Sequence, residues 1–110
     1  MNSAASIEPA ELAARLRGPQ LPLLLDVRQP EEHACAALPG ARLIPLAELP
    51  ARVAELEAWR AGDVVVYCHH GMRSQRAVEW LRPRGFTRLL NLTGGIDRWS
   101  LEVDPTLPRY

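Results

Sequence analysis

The sequence is short of cysteine, of aromatic side chains and of long apolar runs, and neither sign of charge is in excess. Its 13 basic and 13 acidic residues give a formal net charge of zero. This balance argues against a nucleic-acid-binding protein, because binding to phosphates is driven by an excess of basic residues. No run approaches the roughly 18 apolar residues that cross a bilayer, so we predict no association with a membrane.

The two cysteines, Cys35 and Cys68, are too few for a disulfide framework in a chain of this size. Residues 1–11 contain no basic segment followed by an apolar one, so no secretory signal is predicted. We therefore expect a cytoplasmic protein whose thiols stay reduced. Cys35 would act as a resolving thiol only if the fold brought it close to Cys68.

The remaining composition is that of an ordinary globular protein, with 47% hydrophobic and 24% charged residues. A chain of 110 residues is long enough for a single core, and the sequence holds no internal repeat. We predict one domain over residues 1–110, with no cofactor.

Short apolar runs alternate with helical patterns along the chain. Residues 21–27 and Val64–Tyr67 are predicted to be buried strands, a short strand is predicted at residues 42–44 and a further strand at residues 86–92. Because amphipathic helical patterns lie between these runs, we expect an α/β fold with a parallel sheet and helices on both faces.

Three finer expectations concern the segments around this sheet. Ser6 is predicted to cap a first helix that starts beside it. Apolar residues within 46–59 recur at helical spacing, which predicts one amphipathic helix over that range. The proline-rich residues 102–110 are predicted to pack along the surface of the domain.

Three residues with reactive or charged side chains lie at the carboxyl ends of two predicted strands. Cys68 follows one of them, and Asp26 and Arg28 lie at the end of the other. In open parallel sheets, ligands bind beyond the carboxyl ends of the strands. We therefore expect these three residues at one edge of the sheet, beside the ligand.

A short loop with one glycine, Gly71, follows Cys68, and Arg73 then opens a helical pattern. Three features of this loop would stabilise a thiolate, which is the nucleophilic form of cysteine. They are the positive end of the helix, the permanent charge of Arg73 and the backbone N–H groups of residues 69–74. The sequence therefore predicts a loop that holds an anion beside a reactive sulfur.

Other interpretations of these residues remain open. A free cysteine is often a small buried apolar residue and nothing more. His69 and His70 fit the role of exposed loop residues that shape the pocket better than that of general bases. A metal site is disfavoured, because the clusters at residues 33–35 and 68–70 lack the usual spacing of zinc ligands.

In three segments the sequence resembles the rhodanese-like family of sulfurtransferases. These segments are LLDVRQPEE (24–32) with the turn LPGA (38–41), VYCHHGMRS (66–74) and NLTGGIDRW (91–99). The resemblance runs from about residue 5 to the end of the sequence, and it implies a five-stranded parallel sheet between helices. It also implies that Gly94, Gly95 and Trp99 serve close packing and the core.

The resemblance implies a reaction in which Cys68 is the catalytic residue. Its thiolate would take the outer sulfur of thiosulfate, a polysulfide or a persulfide and pass it to a thiol, to cyanide or to a sulfur-accepting protein. Arg73 would hold the charged end of the donor, while Asp26 and Arg28 would support the site structurally. The residues expected to bind the substrate are His69, His70, Gly71, Met72, Arg73 and Ser74.

Two alternatives share the same cysteine. In one interpretation, the protein is a persulfide carrier that delivers sulfur only to a partner protein. In the other, it is a phosphatase or an arsenate reductase. Four residues separate Cys68 from Arg73, whereas the related cell-cycle phosphatases have five. The shorter loop favours a sulfur donor over a phosphate ester.

Overall fold

Five parallel strands form the sheet in the computed structural model, which describes residues 5–110. The strands are β1 (Ser6–Ile7), β2 (Leu23–Asp26), β3 (Arg42–Leu43), β4 (Val64–Tyr67) and β5 (Leu89–Leu92). The α-helices are α1 (Pro9–Leu16), α2 (Pro30–Cys35), α3 (Leu49–Arg52), α4 (Met72–Leu81) and α5 (Gly95–Glu102). Residues 1–4 of the predicted domain lie outside the described residues. Within residues 5–110, no helix has the length and apolar character needed to cross a membrane.

The strand order is β1-β5-β4-β2-β3, which places β4 at the centre of the sheet. Each neighbouring pair of strands is parallel. Asp26 at the end of β2 is in register with Tyr67 at the end of β4. The predicted α/β fold is confirmed, and the carboxyl ends of its two central strands lie side by side as expected.

Alternate side chains of the strands face two separate cores, one on each side of the sheet. On one side Leu25, Val66 and Cys68 pack among residues of α3 and α4. On the other side Leu24, Val65 and Tyr67 pack among residues of α1 and α5. Since both faces are covered, β4 is apolar throughout and β2 is apolar up to Asp26, as is typical of buried parallel strands. The prediction of helices on both faces is confirmed.

Two of the finer predictions are wrong. Ser6 does not cap a helix, because residues Ser6–Ile7 pair with β5 and α1 begins only at Pro9. The cap is Glu8, which exchanges hydrogen bonds with Glu11 in a capping box. The range 46–59 is not one helix but a 3₁₀ turn, the short α3 and a second 3₁₀ segment. Pro50 has no N–H to donate, so it fits only within the first turn of a new helix.

The carboxyl-terminal segment packs along the surface as expected, since every residue of 102–110 is exposed or half-buried. Its last residue also reaches the carboxyl edge of the sheet, where the Tyr110 hydroxyl contacts Arg28 and Glu32. The Ser100 hydroxyl donates to the carbonyl of Leu107, 2.7 Å away, and thereby holds the returning segment on α5.

The first amides of α5 hold the backbone that follows β4. Ile96 N–H donates to the carbonyl of Cys68 at 2.9 Å, and Asp97 N–H donates to the carbonyl of His69 at 3.1 Å. This close approach requires a glycine at residue 95, because an added Cβ would lie 2.5 Å and 2.4 Å from those two carbonyl oxygens. Gly95 also has a φ of +63°, which other residues rarely adopt. The expected close packing at Gly95 is therefore present.

Replacing Gly95 by alanine should destabilise the protein by about 3 kcal/mol or more, because the clash adds to the cost of a left-handed backbone. Gly40→Ala is the matched control, since Gly40 has a φ of +77° but no atom within 4 Å of the added Cβ. It should cost only about 1–2 kcal/mol. Urea unfolding of both variants measures the difference, and equal losses of stability would contradict the close-packing argument.

Candidate active site

Cys68 lies directly after the central strand β4, and three residues separate it from α4. Gly71 caps α4 with a φ of +118°, a left-handed conformation that turns the chain sharply into the helix. The backbone of residues 68–74, which we call the cysteine loop, therefore curls around the end of the strand. This curl places the amino-terminal turn of α4 against the sulfur of Cys68.

Three polar groups surround the sulfur of Cys68, whose side chain is only 1% exposed. The N–H of Gly71 donates to Sγ at 3.0 Å, and the N–H of Ser74 donates to it at 3.4 Å. The Ser74 hydroxyl lies 3.4 Å from the same atom. Main-chain donors at the positive end of a helix stabilise an anion, so this arrangement is suited to hold negative charge at Sγ.

Asn91 on β5 orders the cysteine loop from beneath. Its side-chain carbonyl accepts the hydroxyl proton of Ser74 at 2.6 Å, and its side-chain amide donates to the Gly71 carbonyl at 3.2 Å. Asn91 was not predicted as a site residue. A polar side chain near the carboxyl end of an otherwise apolar strand is the signal that would have identified it.

Arg73 forms an ion pair with Glu32 of α2. Its two terminal nitrogens donate to the two carboxylate oxygens of Glu32 at 2.6 Å and 2.9 Å. Hydrogen bonding from Arg73 lowers the pKa of Glu32 to about 2, although partial burial opposes the shift. The pair therefore stays charged at neutral pH and carries no net charge.

His69, His70 and Tyr110 form a stack of rings at the rim of the site. The ring centre of His69 lies 4.0 Å from that of His70 and 4.1 Å from that of Tyr110. Burial, together with the neighbouring His70, lowers the pKa of His69, so its ring is neutral at pH 7. Tyr110 was not predicted at the site, and its contacts depend on the path of residues 103–109.

The predicted supporting residues, Asp26 and Arg28, form a fully buried ion pair at the end of β2. Two nitrogens of Arg28 donate to the Asp26 carboxylate at 2.8 Å and 2.7 Å, and a third donates to the Tyr110 hydroxyl at 2.6 Å. Burial alone would raise the pKa of Asp26, but hydrogen bonds from Arg28 and His33 outweigh it and lower that pKa. The network joins β2 to α2 and to the carboxyl-terminal segment.

The geometry of the histidines does not favour a metal ion. Within the described part of the chain, His69, His70 and Asp97 offer ligand atoms that lie within 4.8 Å of one another. The two stacked rings are inclined by only 24°, so their nitrogen lone pairs do not converge on one point. The carboxylate of Asp97 already accepts two hydrogen bonds from Arg109, at 2.9 Å and 3.2 Å.

An open cleft of about 320 Å³ leads to the sulfur of Cys68. Four residues predicted to bind the substrate line it, while Gly71 and Ser74 instead present their N–H groups to Sγ. Arg76, which was not predicted, also lines it. Cys35 is a separate, exposed thiol at the end of α2. The complete lining is Cys68, His69, His70, Met72, Arg73 and Arg76.

The site is thus a buried cysteine surrounded by backbone donors at the carboxyl edge of a parallel α/β sheet. The chain belongs to the rhodanese-like domain family, whose family model matches residues 8–102. The family predicted from the sequence is therefore confirmed.

Individual relatives support the same assignment. A sulfurtransferase of Allochromatium vinosum is 39% identical over 94 residues, which cover 86% of this chain and 86% of that protein. The chloroplastic rhodanese-like/PpiC domain-containing protein 12 of Arabidopsis thaliana is 36% identical over 94% of this chain, and the match spans only 36% of that longer protein. The structure of a human single-domain sulfurtransferase superposes with a TM-score of 0.73 at 29% identity, covering 91% of this chain and 97% of that one.

Glu32→Gln should lower the free energy of unfolding by about 2 kcal/mol at pH 7, because it removes a charged partner of Arg73. The folded-state pKa of Glu32 lies below its ordinary value of 4.5, at about 2. The stabilisation is therefore complete above pH 4.5 and is lost as the pH falls toward 2. Urea unfolding of the wild type and the variant should be measured from pH 7 to pH 2. The difference between their free energies of unfolding should shrink as the pH falls from 4.5 toward 2.

Glu31→Gln is the control for this pH series, since Glu31 is the exposed neighbour of Glu32 on the same helix. It should change stability by less than about 0.5 kcal/mol at every pH. A gap between the wild type and Glu32→Gln that persists unchanged below pH 4 would show that the ion pair with Arg73 is not its source.

Proposed function

We propose that this protein is a sulfurtransferase that carries a sulfane sulfur on Cys68. The observation that supports this most directly is the convergence of the Gly71 and Ser74 N–H groups on Sγ at 3.0 Å and 3.4 Å. These donors face the negative charge that Sγ carries when it attacks sulfur as a thiolate. The membership of the rhodanese-like family supports the same chemistry.

In the first step the Cys68 thiolate attacks the outer sulfur of the donor. With thiosulfate, a new S–S bond forms, the S–S bond of the donor breaks and its electron pair leaves with sulfite, so that Cys68 becomes a persulfide anion. The sulfur of Cys68 is buried, and the added atom extends about 2 Å from it toward the cleft. Donors on the loop backbone stabilise the negative charge of the persulfide.

In the second step an acceptor attacks the terminal sulfur of the persulfide. Cyanide takes this sulfur and becomes thiocyanate, whereas an acceptor thiolate takes it and becomes a new persulfide. In both cases the S–S bond to Cys68 breaks, and its electron pair stays on Cys68, which returns to the thiolate. Polysulfides and low-molecular-weight persulfides are further proposed donors. We propose that the reaction takes place in the cytoplasm, because Cys68 must stay reduced between turnovers.

The other site residues have supporting roles in this proposal. His69 and His70 form a wall of the cleft, since their rings are stacked and that of His69 is neutral. Asp26 and Arg28 support the site from beneath through their buried ion pair. The predicted role of Arg73 in holding the donor is weakened by its two bonds to Glu32, which favour a structural role.

A persulfide carrier is the second candidate function. The side chain of Met72 is 76% exposed beside the cleft and offers an apolar contact to a protein that presents a thiol. A carrier would form the persulfide readily and release its sulfur only slowly to small thiols or cyanide. The two functions therefore differ in the rate of the second step alone.

Incubation with thiosulfate should make the protein heavier by one sulfur atom, and subsequent cyanide should remove that atom as thiocyanate. Cys68→Ala should abolish both events, because it removes the attacking sulfur. Cys35→Ala is the matched control and should behave as the wild type, since Cys35 is an exposed thiol outside the cleft. Intact mass spectrometry and a thiocyanate assay measure the two steps separately.

Three results would change the conclusion. Absence of added sulfur with thiosulfate, polysulfide and a persulfide donor would contradict the proposal. Rapid persulfide formation with slow discharge by every small acceptor would favour the carrier. Hydrolysis of an aryl phosphate by the same sample, lost in Cys68→Ala, would favour the phosphatase alternative.

A further inference from the structure

We propose that Arg76 receives the anionic group, a sulfonate or a carboxylate, of the small molecules that exchange sulfur at Cys68. The inference rests on the proposed sulfur transfer and identifies the substrate class of that same site. It assigns to Arg76 the role that the sequence suggested for Arg73. Both arginines line the cleft that leads to Cys68.

The charge of Arg73 is already balanced. Both of its terminal nitrogens are bonded to Glu32, and the pair contributes no net charge to the cleft. His69 is neutral at pH 7. A dianion such as thiosulfate must approach an anionic sulfur here, so binding requires a cation that is not balanced by a carboxylate.

Arg76 meets this requirement. It is exposed, it lies on the cleft, and within residues 5–110 it takes part in no ion pair, whereas Arg73 three residues before it does. Glu79 is the acidic residue at helical spacing from Arg76, and its carboxylate accepts a hydrogen bond from Gln75 at 3.1 Å. The guanidinium of Arg76 is therefore available to a ligand.

The placement of Arg76 on α4 suits an anion whose sulfur points toward Cys68. Arg76 is one turn beyond Met72 and Arg73, so the three side chains follow one stripe of the helix along the cleft. A guanidinium is planar and always charged, and it binds carboxylates and similar oxyanions through two parallel hydrogen bonds. A substrate held at Arg76 thus keeps its reacting sulfur on the inner side of the cleft.

The test compares sulfur donors that share reacting atoms and differ in charge. Glutathione persulfide carries carboxylates, whereas 2-hydroxyethyl persulfide has an uncharged tail, and thiosulfate carries a sulfonate. Arg76→Gln should slow persulfide formation from thiosulfate and from glutathione persulfide about tenfold, equivalent to about 1.4 kcal/mol. With 2-hydroxyethyl persulfide, the rates of Arg76→Gln and the wild type should differ by less than about twofold, because the uncharged tail of this donor forms no ion pair with Arg76.

Two further variants separate charge from structure. Arg82→Gln removes another exposed arginine, outside the cleft, and should leave all three rates unchanged. Arg76→Lys retains the charge and should recover most of the rate with thiosulfate. Added salt should slow the wild type with thiosulfate and have less effect on Arg76→Gln, since exposed charges are screened.

The second half-reaction shows whether Arg76 binds the anionic group of the sulfur acceptor as well as that of the sulfur donor. Discharge of the preformed persulfide by glutathione should slow in Arg76→Gln if the acceptor's carboxylate also binds there, while discharge by 2-mercaptoethanol should not. An effect in either half-reaction that is confined to charged substrates supports the assignment. Equal losses with charged and uncharged substrates, or no loss with any of them, would overturn it.

A binding measurement keeps this inference separate from the proposed function. Titration of Cys68→Ala with thiosulfate, followed by calorimetry, involves no sulfur transfer. Adding Arg76→Gln to that variant should weaken binding about tenfold. Unchanged binding would overturn the role of Arg76 even if sulfur transfer occurs, and weakened binding would support it even if no transfer is found.

Discussion

The buried ion pair between Asp26 and Arg28 is the interaction on which the surroundings of the cysteine loop depend. Neither side chain is exposed, so the charge of Arg28 must be met entirely by the protein. Beyond Asp26, its nitrogens donate to the carbonyl of Ala36 at 2.6 Å and to the hydroxyl of Tyr110 at 2.6 Å. Because an arginine cannot lose its proton, each of these acceptors is fixed in place.

From this buried pair, polar contacts continue outward to the helix that carries the loop. Tyr110 donates its hydroxyl proton to Glu32 at 3.0 Å, and Glu32 in turn holds Arg73 at the first turn of α4. On the opposite side, the first amides of α5 hold the carbonyls of Cys68 and His69. The loop is therefore fixed from two directions before any substrate arrives, which is the preorganisation that charge stabilisation requires.

The parts of the site that follow from local pattern could be predicted from the sequence. Apolar runs of strand length fixed the sheet, and the rule that ligands bind at carboxyl ends of parallel strands brought Cys68 next to Asp26 and Arg28. The position of a glycine and a helix start after Cys68 correctly implied backbone donors around its sulfur. These features depend on residues close together in the chain.

The parts that were missed depend on contacts between side chains far apart in the sequence. Glu32 meets Arg73 across 41 residues, and Arg28 meets Tyr110 across 82. Neither contact leaves a periodic signal, since each depends on the path of an irregular segment and on the orientation of long side chains. The helix expected over 46–59 failed for a local reason, because Pro50 interrupts the pattern of backbone hydrogen bonds.

A contact between residues far apart in the sequence also decides which arginine faces the substrate in the proposed reaction. Sequence spacing identifies Arg73 as the cation nearest to Cys68 but does not show that α2 supplies it with a carboxylate. Because Glu32 balances Arg73, the groups left to attract an anion in the proposed reaction are the loop amides beside Cys68 and Arg76 one turn further along α4. In the proposed reaction, the amides face the charge that develops on sulfur, and Arg76 faces the charge that the substrate brings with it. Stabilisation of the reacting atom and selection of the substrate are thus separated along one helix.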